Sequence, residues 1–344
     1  MQKHHTTRCT LMVLIVMMII QGCAVQSQPE VNVYSSRKEA LIKPMLDRFT
    51  EVTGIRVNLV TGKDDALIER LKAEGAASPA DVLMTVDAGR LYRAKSQGLT
   101  QAIDSPLLQQ SIPPNYRDPD NHWFGLSLRA RPIMYAKDRV NPASLTNYAS
   151  LTTEQWRKKV CIRSSGNIYN QSLVASMLAS ESTAAVEQWA AALVKNFARQ
   201  PVGGDRDQIK AVAAGLCDVA VANTYYLFGM LQSEDPTEAA VAQKVGVFWP
   251  NQQDRGTHVN VSGIAVTKAA DHVGHAQRLI EFMIQAESQN WFASANGEYP
   301  VVPGTAVHPT LAEWGEFRKD AINLSRLGEL NNEAVKIMDR VGWP

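Results

Sequence analysis

Hydrophobic positions along this chain follow two periods in turn, one typical of strands and one typical of helices. From Val31 to Tyr34 apolar and polar residues alternate as in a half-buried strand, and Ser35 and Ser36 can cap a following helix. The order of strand and helix then repeats, with a helix at 37–52, a strand at 55–60, a helix at 64–74, a strand at 81–85 and a helix at 89–97. This alternation predicts a mostly parallel sheet with helices on both faces.

A second α/β unit follows an extended segment at residues 123–135, which we expect to cross between two lobes. Strand patterns recur at 160–163, 218–223, 245–249 and 259–267, and helical patterns at 169–180, 184–196, 205–214 and 272–285. The predicted fold class is α/β, two-lobed, with a hinge and an interlobe cleft. We expect lobe one to comprise residues 30–128 plus 260–298, and lobe two residues 129–259 plus 299–344.

The amino-terminal segment has a different character. Basic residues up to Arg8 precede an apolar run at 11–20, which is too short for a transmembrane helix of about 20 residues. This pattern is typical of an export signal. Residues 20–23 are similar to the lipobox of bacterial lipoproteins, so we expect residues 1–23 to be the signal and Cys23 to carry lipid. The alternative is cleavage nearby and a free periplasmic protein.

The net charge and the cysteines indicate which partners and which covalent bonds to expect. The 35 basic and 34 acidic side chains nearly cancel, so no nucleic-acid partner is indicated. Cys9 lies in the signal and Cys23 is the expected lipid site, so Cys161 and Cys217 remain. An exported protein can join two such cysteines in a disulfide, and the alternative is a pair of buried thiols.

Tyrosines lie at or near the predicted carboxyl ends of strands, where open α/β sheets bind ligands. They are Tyr34, Tyr169, Tyr225 and Tyr226. Packing is the alternative role for a tyrosine, but phenolate oxygens also suit hard trivalent cations. Several phenolates in a cleft would need positive charge nearby, and Arg129, with Arg37 as a weaker candidate, could supply it. The alternative for either arginine is a surface or interlobe ion pair.

Enzyme signatures such as H-E-x-x-H, G-x-S-x-G and phosphate-binding glycine loops are missing from the sequence. Five segments instead carry a resemblance to a known family. They are residues 33–37 (VYSSR), 80–85 (ADVLMT), 163–172 (RSSGNIYNQS), 217–226 (CDVAVANTYY) and 256–263 (GTHVNVSG). Together they make the chain similar to the ferric-iron-binding periplasmic proteins of bacterial ABC transporters, over nearly all of the sequence from Val31 onward.

The resemblance implies a type 2 periplasmic binding protein fold, Fe³⁺ as the transported ligand, an ABC-type iron permease as partner, a monomeric state and no enzymatic activity. Some family members use a histidine from the first loop and an acid where this chain has Val86; Asp87 would point away at strand period. The pattern is similar to the all-tyrosine branch, which implies Tyr34, Tyr169, Tyr225 and Tyr226 as ligands. A synergistic anion such as carbonate is compatible with that set. The alternative function is binding a small organic or anionic solute in the same cleft.

Overall fold

The computed structural model describes residues 28–344, and the predicted export signal with Cys23 lies outside the described residues. Two sheets, each flanked by helices, form the two lobes. The strands are β1 (Glu30–Ser35), β2 (Arg56–Thr61), β3 (Val82–Val86), β4 (Thr100–Gln101), β5 (Phe124–Ala130), β6 (Ile133–Ala136), β7 (Val160–Cys161), β8 (Val219–Val221), β9 (Val245–Phe248), β10 (Val259–Thr267) and β11 (Tyr299–Pro300).

Helices cover both faces of the sheets and the ends of the cleft. They are α1 (Glu39–Thr53), α2 (Asp64–Glu74), α3 (Ala88–Ser96), α4 (Pro106–Ser111), α5 (Ile168–Leu178), α6 (Thr183–Lys195), α7 (Asp205–Ala213), α8 (Thr224–Leu231), α9 (Pro236–Gln243), α10 (Val273–Met283), α11 (Ala286–Asn296), α12 (Pro309–Ala312), α13 (Ser325–Glu329) and α14 (Asn331–Arg340). Within residues 28–344, no helix is both long and apolar enough to cross a bilayer.

The large sheet has the strand order β11-β5-β10-β3-β1-β2, with β4 paired to β10. Strand β1 lies parallel to β2 and β3, as the alternating strands and helices predict. Strand β10 instead runs antiparallel to β3, β4 and β5, because the chain enters it on returning from the other lobe. The expectation of a mostly parallel sheet therefore holds for the first three strands and is wrong for the rest of this sheet.

The small sheet has the order β7-β8-β6-β9, and the chain passes between the sheets twice. It leaves the large sheet after Ala130, enters the small one at Ile133, and returns between Phe248 and Val259. Arg129, which we expected at the start of lobe two, therefore lies in β5 of the large sheet. Strand β11 also belongs to the large sheet, through its antiparallel pairing with β5.

Cys161 and Cys217 are bonded to each other, with Cα atoms 5.9 Å apart. Cys161 ends β7, and Cys217 lies just before β8, which is the parallel neighbour of β7. Both side chains are buried in the core of the small sheet's lobe. The bond therefore ties two adjacent strands beneath the helices that carry the tyrosines.

Candidate metal centre

A cleft of about 880 Å³ lies between the two lobes. The large-sheet lobe contributes the loop after β1, the end of β3 and the end of α11. The opposite wall is formed by the amino-terminal turns of α5, α7 and α8. The cleft therefore opens beyond the carboxyl ends of β1, β3 and β8, where the strand-and-helix pattern places the ligand.

Three tyrosine side chains meet in this cleft. Helix α8 begins at Thr224 directly after β8, so Tyr225 and Tyr226 lie in its first turn, with ring centroids 4.3 Å apart. Tyr169 is the second residue of α5, and its hydroxyl accepts a hydrogen bond from the Tyr225 hydroxyl at 3.2 Å. All three rings line the cleft. Two helix starts that follow buried strands thus bring three phenol rings to one cleft.

Tyr34, the fourth predicted ligand, lies elsewhere. Its side chain is 1% exposed and packs among apolar residues of α2 and β3, including Leu67 and Leu83. Its hydroxyl donates to both oxygens of the Glu74 carboxylate at 3.0 and 3.1 Å. The prediction that Tyr34 faces the cleft is therefore wrong. Both faces of β1 are covered, so the alternation of apolar and polar residues does not tell which side chains reach the cleft. Tyr34 lies on the face that α2 covers.

Burial makes two of the cleft phenols, Tyr169 and Tyr225, hard to ionise. It raises the pKa of Tyr225 well above the usual value, the phenols of Tyr169 and Tyr226 raise it further, and Arg129 opposes the shift. Burial and Tyr226 likewise raise the pKa of Tyr169, against the charge of Arg129 and a hydrogen bond from Tyr225. Tyr169 and Tyr225 therefore keep their protons at pH 7 unless a cation of high charge replaces them, as bound metals do for other ligands.

Both predicted arginines lie at the cleft, and both are also ion-paired. The Arg129 guanidinium carbon is 5.6 Å from the Tyr225 ring centroid, so its charge faces the phenols. Its Nη2 is 3.6 Å from Oε1 of Glu298 and also donates to Ser262. Arg37 follows β1 and reaches the same carboxylate, with Nη2 2.5 Å from Oε2. Both arginines therefore form the ion pair, and Arg129 also places its charge beside a phenol of the cleft.

A buried arginine that the sequence did not single out connects the two tyrosine-bearing segments. Arg131 donates through Nη2 to the side-chain oxygen of Asn170 at 2.6 Å, and through Nη1 to that of Asn223 at 3.0 Å. Asn170 follows Tyr169, and Asn223 is the N-cap of α8. Asp205 holds Arg131 Nη1 at 3.1 Å and accepts the Asn223 backbone N–H at 2.8 Å.

The sequence shows only that Asn170 follows Tyr169 and that Asn223 lies two residues before Tyr225. The contacts of Arg131 with Asn170 and Asn223 span 39 and 92 residues, and no local pattern indicates them. Because the arginine binds both segments at once, it fixes the spacing between Tyr169 and Tyr225.

Val86 lines the cleft where an acid would stand in other members of the resembled family. Asp87 points away from it, as strand alternation predicts: its carboxylate caps α3 and accepts the Ser172 hydroxyl at 2.8 and 2.9 Å. Among the described residues, no cluster of three or more His, Cys, Asp or Glu side chains could hold a metal ion. The phenols of Tyr169, Tyr225 and Tyr226 are the clustered oxygen donors of the cleft, and hard cations are the ions that such oxygens suit.

Proteins of known structure and function resemble this chain closely. Over 316 residues it is 47% identical to iron uptake protein A1 of Synechocystis sp., covering 92% of this chain and 88% of that protein. A Trichodesmium protein (IdiA, FutA) in complex with iron and citrate matches it with a TM-score of 0.90 and 50% identity, over 92% of this chain and 100% of that one. A ferric binding protein from Campylobacter jejuni matches with a TM-score of 0.86 and 37% identity, over 91% and 100% of the two chains.

These matched structures have the same α/β architecture as the two-sheet arrangement seen here. Residues 44–319 match the family described as bacterial extracellular solute-binding protein, a range that covers most of the chain and every strand except β1. The chain therefore belongs to the bacterial extracellular solute-binding protein family.

Proposed function

We propose that this protein binds Fe³⁺ in the interlobe cleft and delivers it to an ABC-type permease. The convergence of Tyr169, Tyr225 and Tyr226 beside Arg129 is the observation that carries the proposal. Three phenolates balance the three charges of ferric iron, and oxygen donors of this kind suit a hard cation. The protein acts as a binding protein and not as an enzyme, in keeping with relatives that take up or bind iron.

Three tyrosines leave part of an octahedral iron shell to other ligands. An anion such as carbonate or citrate would complete it, and the Trichodesmium relative is described with iron and citrate together. Basic side chains suited to an anion line both walls of the cleft, namely Arg37, Lys38, Arg129 and Arg206. The anion therefore belongs to the proposal as a co-ligand of the metal.

The cellular setting is part of the same proposal. Export through residues 1–23 would place the protein in the periplasm, where a lipid on Cys23 would hold it beside the permease in the inner membrane. Relatives include a protein named Fe(3+)-binding periplasmic protein in Serratia marcescens. We expect the protein to act as a monomer, because lobe closure within one chain can report the loaded state to a permease.

A solute binder for small organic anions is the second candidate. The cleft is far larger than one metal ion needs, and its volume is typical of sites for small molecules. In this reading, the four basic side chains would bind the carboxylates and the phenols would serve as hydrogen-bond donors.

A titration followed by visible absorption separates the two candidates. Ferric citrate added to the metal-free protein should produce a band in the visible from charge transfer between phenolate and iron, and ferrous iron should not. Citrate alone should then raise the melting temperature less than ferric citrate does. If the protein stays colourless and citrate alone raises its melting temperature as much as ferric citrate does, iron binding is excluded and the second candidate is favoured.

A further inference from the structure

A buried carboxylate stands behind the two arginines of the cleft. Glu298 follows Gly297 at the end of α11 and is 4% exposed. Its Oε2 accepts from Arg37 Nη2 at 2.5 Å and from the Ser127 hydroxyl at 2.6 Å. Its Oε1 accepts from the Ser262 hydroxyl at 3.2 Å and lies 3.6 Å from Arg129 Nη2. One carboxylate thus contacts both arginines directly.

The charges in this group do not cancel. Two guanidinium groups, Arg37 and Arg129, share one carboxylate, which leaves one net positive charge beside the phenols. Burial raises the pKa of Glu298, but the charges of Arg37 and Arg129 outweigh it and hold that pKa below its ordinary value. Glu298 is therefore ionised in the folded protein, and its negative charge is a fixed part of the cleft.

Two other charges on the cleft wall have partners of their own, and a third, Lys38, is exposed to solvent. Asp64 accepts from the Thr85 hydroxyl at 2.7 Å and lies 3.6 Å from Arg90. Arg206 pairs with Glu238 at 3.1 Å. The Arg37–Glu298–Arg129 group differs because all its members are buried and it adjoins Tyr225. A change of one charge there acts with little screening by solvent.

Resting on the proposed function, we infer that Glu298 is a positioning residue that sets how strongly the cleft takes up the anionic co-ligand of iron. Its carboxylate competes with an incoming carbonate or carboxylate for the donors of Arg37 and Arg129. The Nε of Arg129 is buried without a hydrogen-bond partner, so the contacts with Ser262 and Glu298 do not use every donor of this arginine. Glu298 therefore leaves only one unmatched positive charge on the two buried arginines for the anion.

Variants that change charge test this inference, because Glu298→Gln and Arg37→Gln should shift the citrate dependence in opposite directions. A merely structural role of Glu298 would not produce opposite shifts. The measurement is the citrate concentration that gives half of the maximal ferric band at constant iron. Glu298→Gln leaves two unmatched positive charges and should lower this concentration about 10-fold. Arg37→Gln leaves none and should raise it about 10-fold. The double variant restores one net charge and should return within about 3-fold of the wild type.

Asp118→Asn is the matched control, since Asp118 is a fully buried carboxylate whose partner Lys95 lies outside the cleft lining. This variant should leave the citrate dependence unchanged. Equal shifts in Glu298→Gln and Arg37→Gln, or a double variant weaker than both, would overturn the inference. If Glu298→Gln does not fold, the double variant compared with Arg37→Gln still measures the effect of removing Glu298, which should be about 10-fold tighter citrate dependence.

Failure of the proposed function would be seen separately, as the lack of a ferric band in the wild type. Citrate binding to the metal-free variants by calorimetry would then test the role of Glu298 alone. Glu298→Gln should bind citrate more tightly than the wild type and Arg37→Gln more weakly. If neither titration gives this order of citrate affinities, the inference is wrong. Iron binding is then still judged by the ferric band of the wild type.

Discussion

The two walls of the cleft contribute different chemistry. The small-sheet lobe supplies the phenols of Tyr169, Tyr225 and Tyr226, whereas the large-sheet lobe supplies paired charges through Arg129 and Glu298. The proposed metal donors are thus on one wall, which we call the donor wall. The buried ion pairs of Arg37, Arg129 and Glu298 are on the other, which we call the charged wall. We expect iron to bind first to the small-sheet lobe, and closure to add the charged wall and the anion.

Removing a phenol from the donor wall should have the largest effect. Tyr225→Phe and Tyr226→Phe each delete one oxygen ligand while keeping the ring and its packing. We expect iron affinity to fall by more than about 100-fold, which exceeds the usual loss from mutating an outer contact of a metal ligand. Competition for iron against a chelator measures the affinity, and far-ultraviolet circular dichroism checks the fold. Retention of wild-type affinity in either variant would remove that tyrosine from the site.

The number of phenols on the donor wall can be counted by proton release. The pKa values of Tyr169 and Tyr225 are raised by burial, so these groups hold their protons at neutral pH until the metal displaces them. Three phenols in the cleft predict release of about three protons per iron from the protein, and affinity that falls as pH falls. A pH-stat titration measures the release. Four protons would restore Tyr34 as a ligand, whereas none would exclude phenolate binding.

The donor wall also depends on the buried contacts of Arg131. Asn170→Ala removes the acceptor for Arg131 Nη2 and frees the loop before Tyr169, to whose carbonyls at Arg163 and Ser164 the amide donates. We expect iron affinity to fall about 10-fold and the free energy of unfolding by about 1–3 kcal/mol.

Asn196→Ala is the matched control for Asn170→Ala. Its amide is equally buried and donates to two backbone carbonyls, those of Leu151 and Thr153, away from the cleft. The two variants should lose similar stability, measured by urea unfolding, but only Asn170→Ala should lose iron affinity. Equal iron affinities would show that Arg131 supports the fold without positioning Tyr169.

The sequence predicted the donor wall better than the charged wall, for a physical reason. Tyr169 and Tyr225 each begin a helix after a buried strand, and such helix starts meet at the ligand-binding edge of a sheet. That argument needs only local order along the chain. The pairing of Arg37 with Glu298 spans 261 residues and follows from the antiparallel return of β10 and β11, which no periodicity indicates.

We expect the smallest effect on iron binding from a change at Tyr34, which the sequence pattern had placed in the cleft. Tyr34→Phe removes a hydroxyl that donates to Glu74, a carboxylate that also accepts from Arg70 and Ser78. The loss should therefore cost only about 0.5–1.5 kcal/mol of unfolding free energy. The ferric band and the iron affinity should match the wild type, because the ring lies among apolar side chains outside the cleft. A loss of iron as large as that of Tyr225→Phe would mean that β1 turns Tyr34 toward the metal in the loaded protein, and that both walls carry phenolate donors.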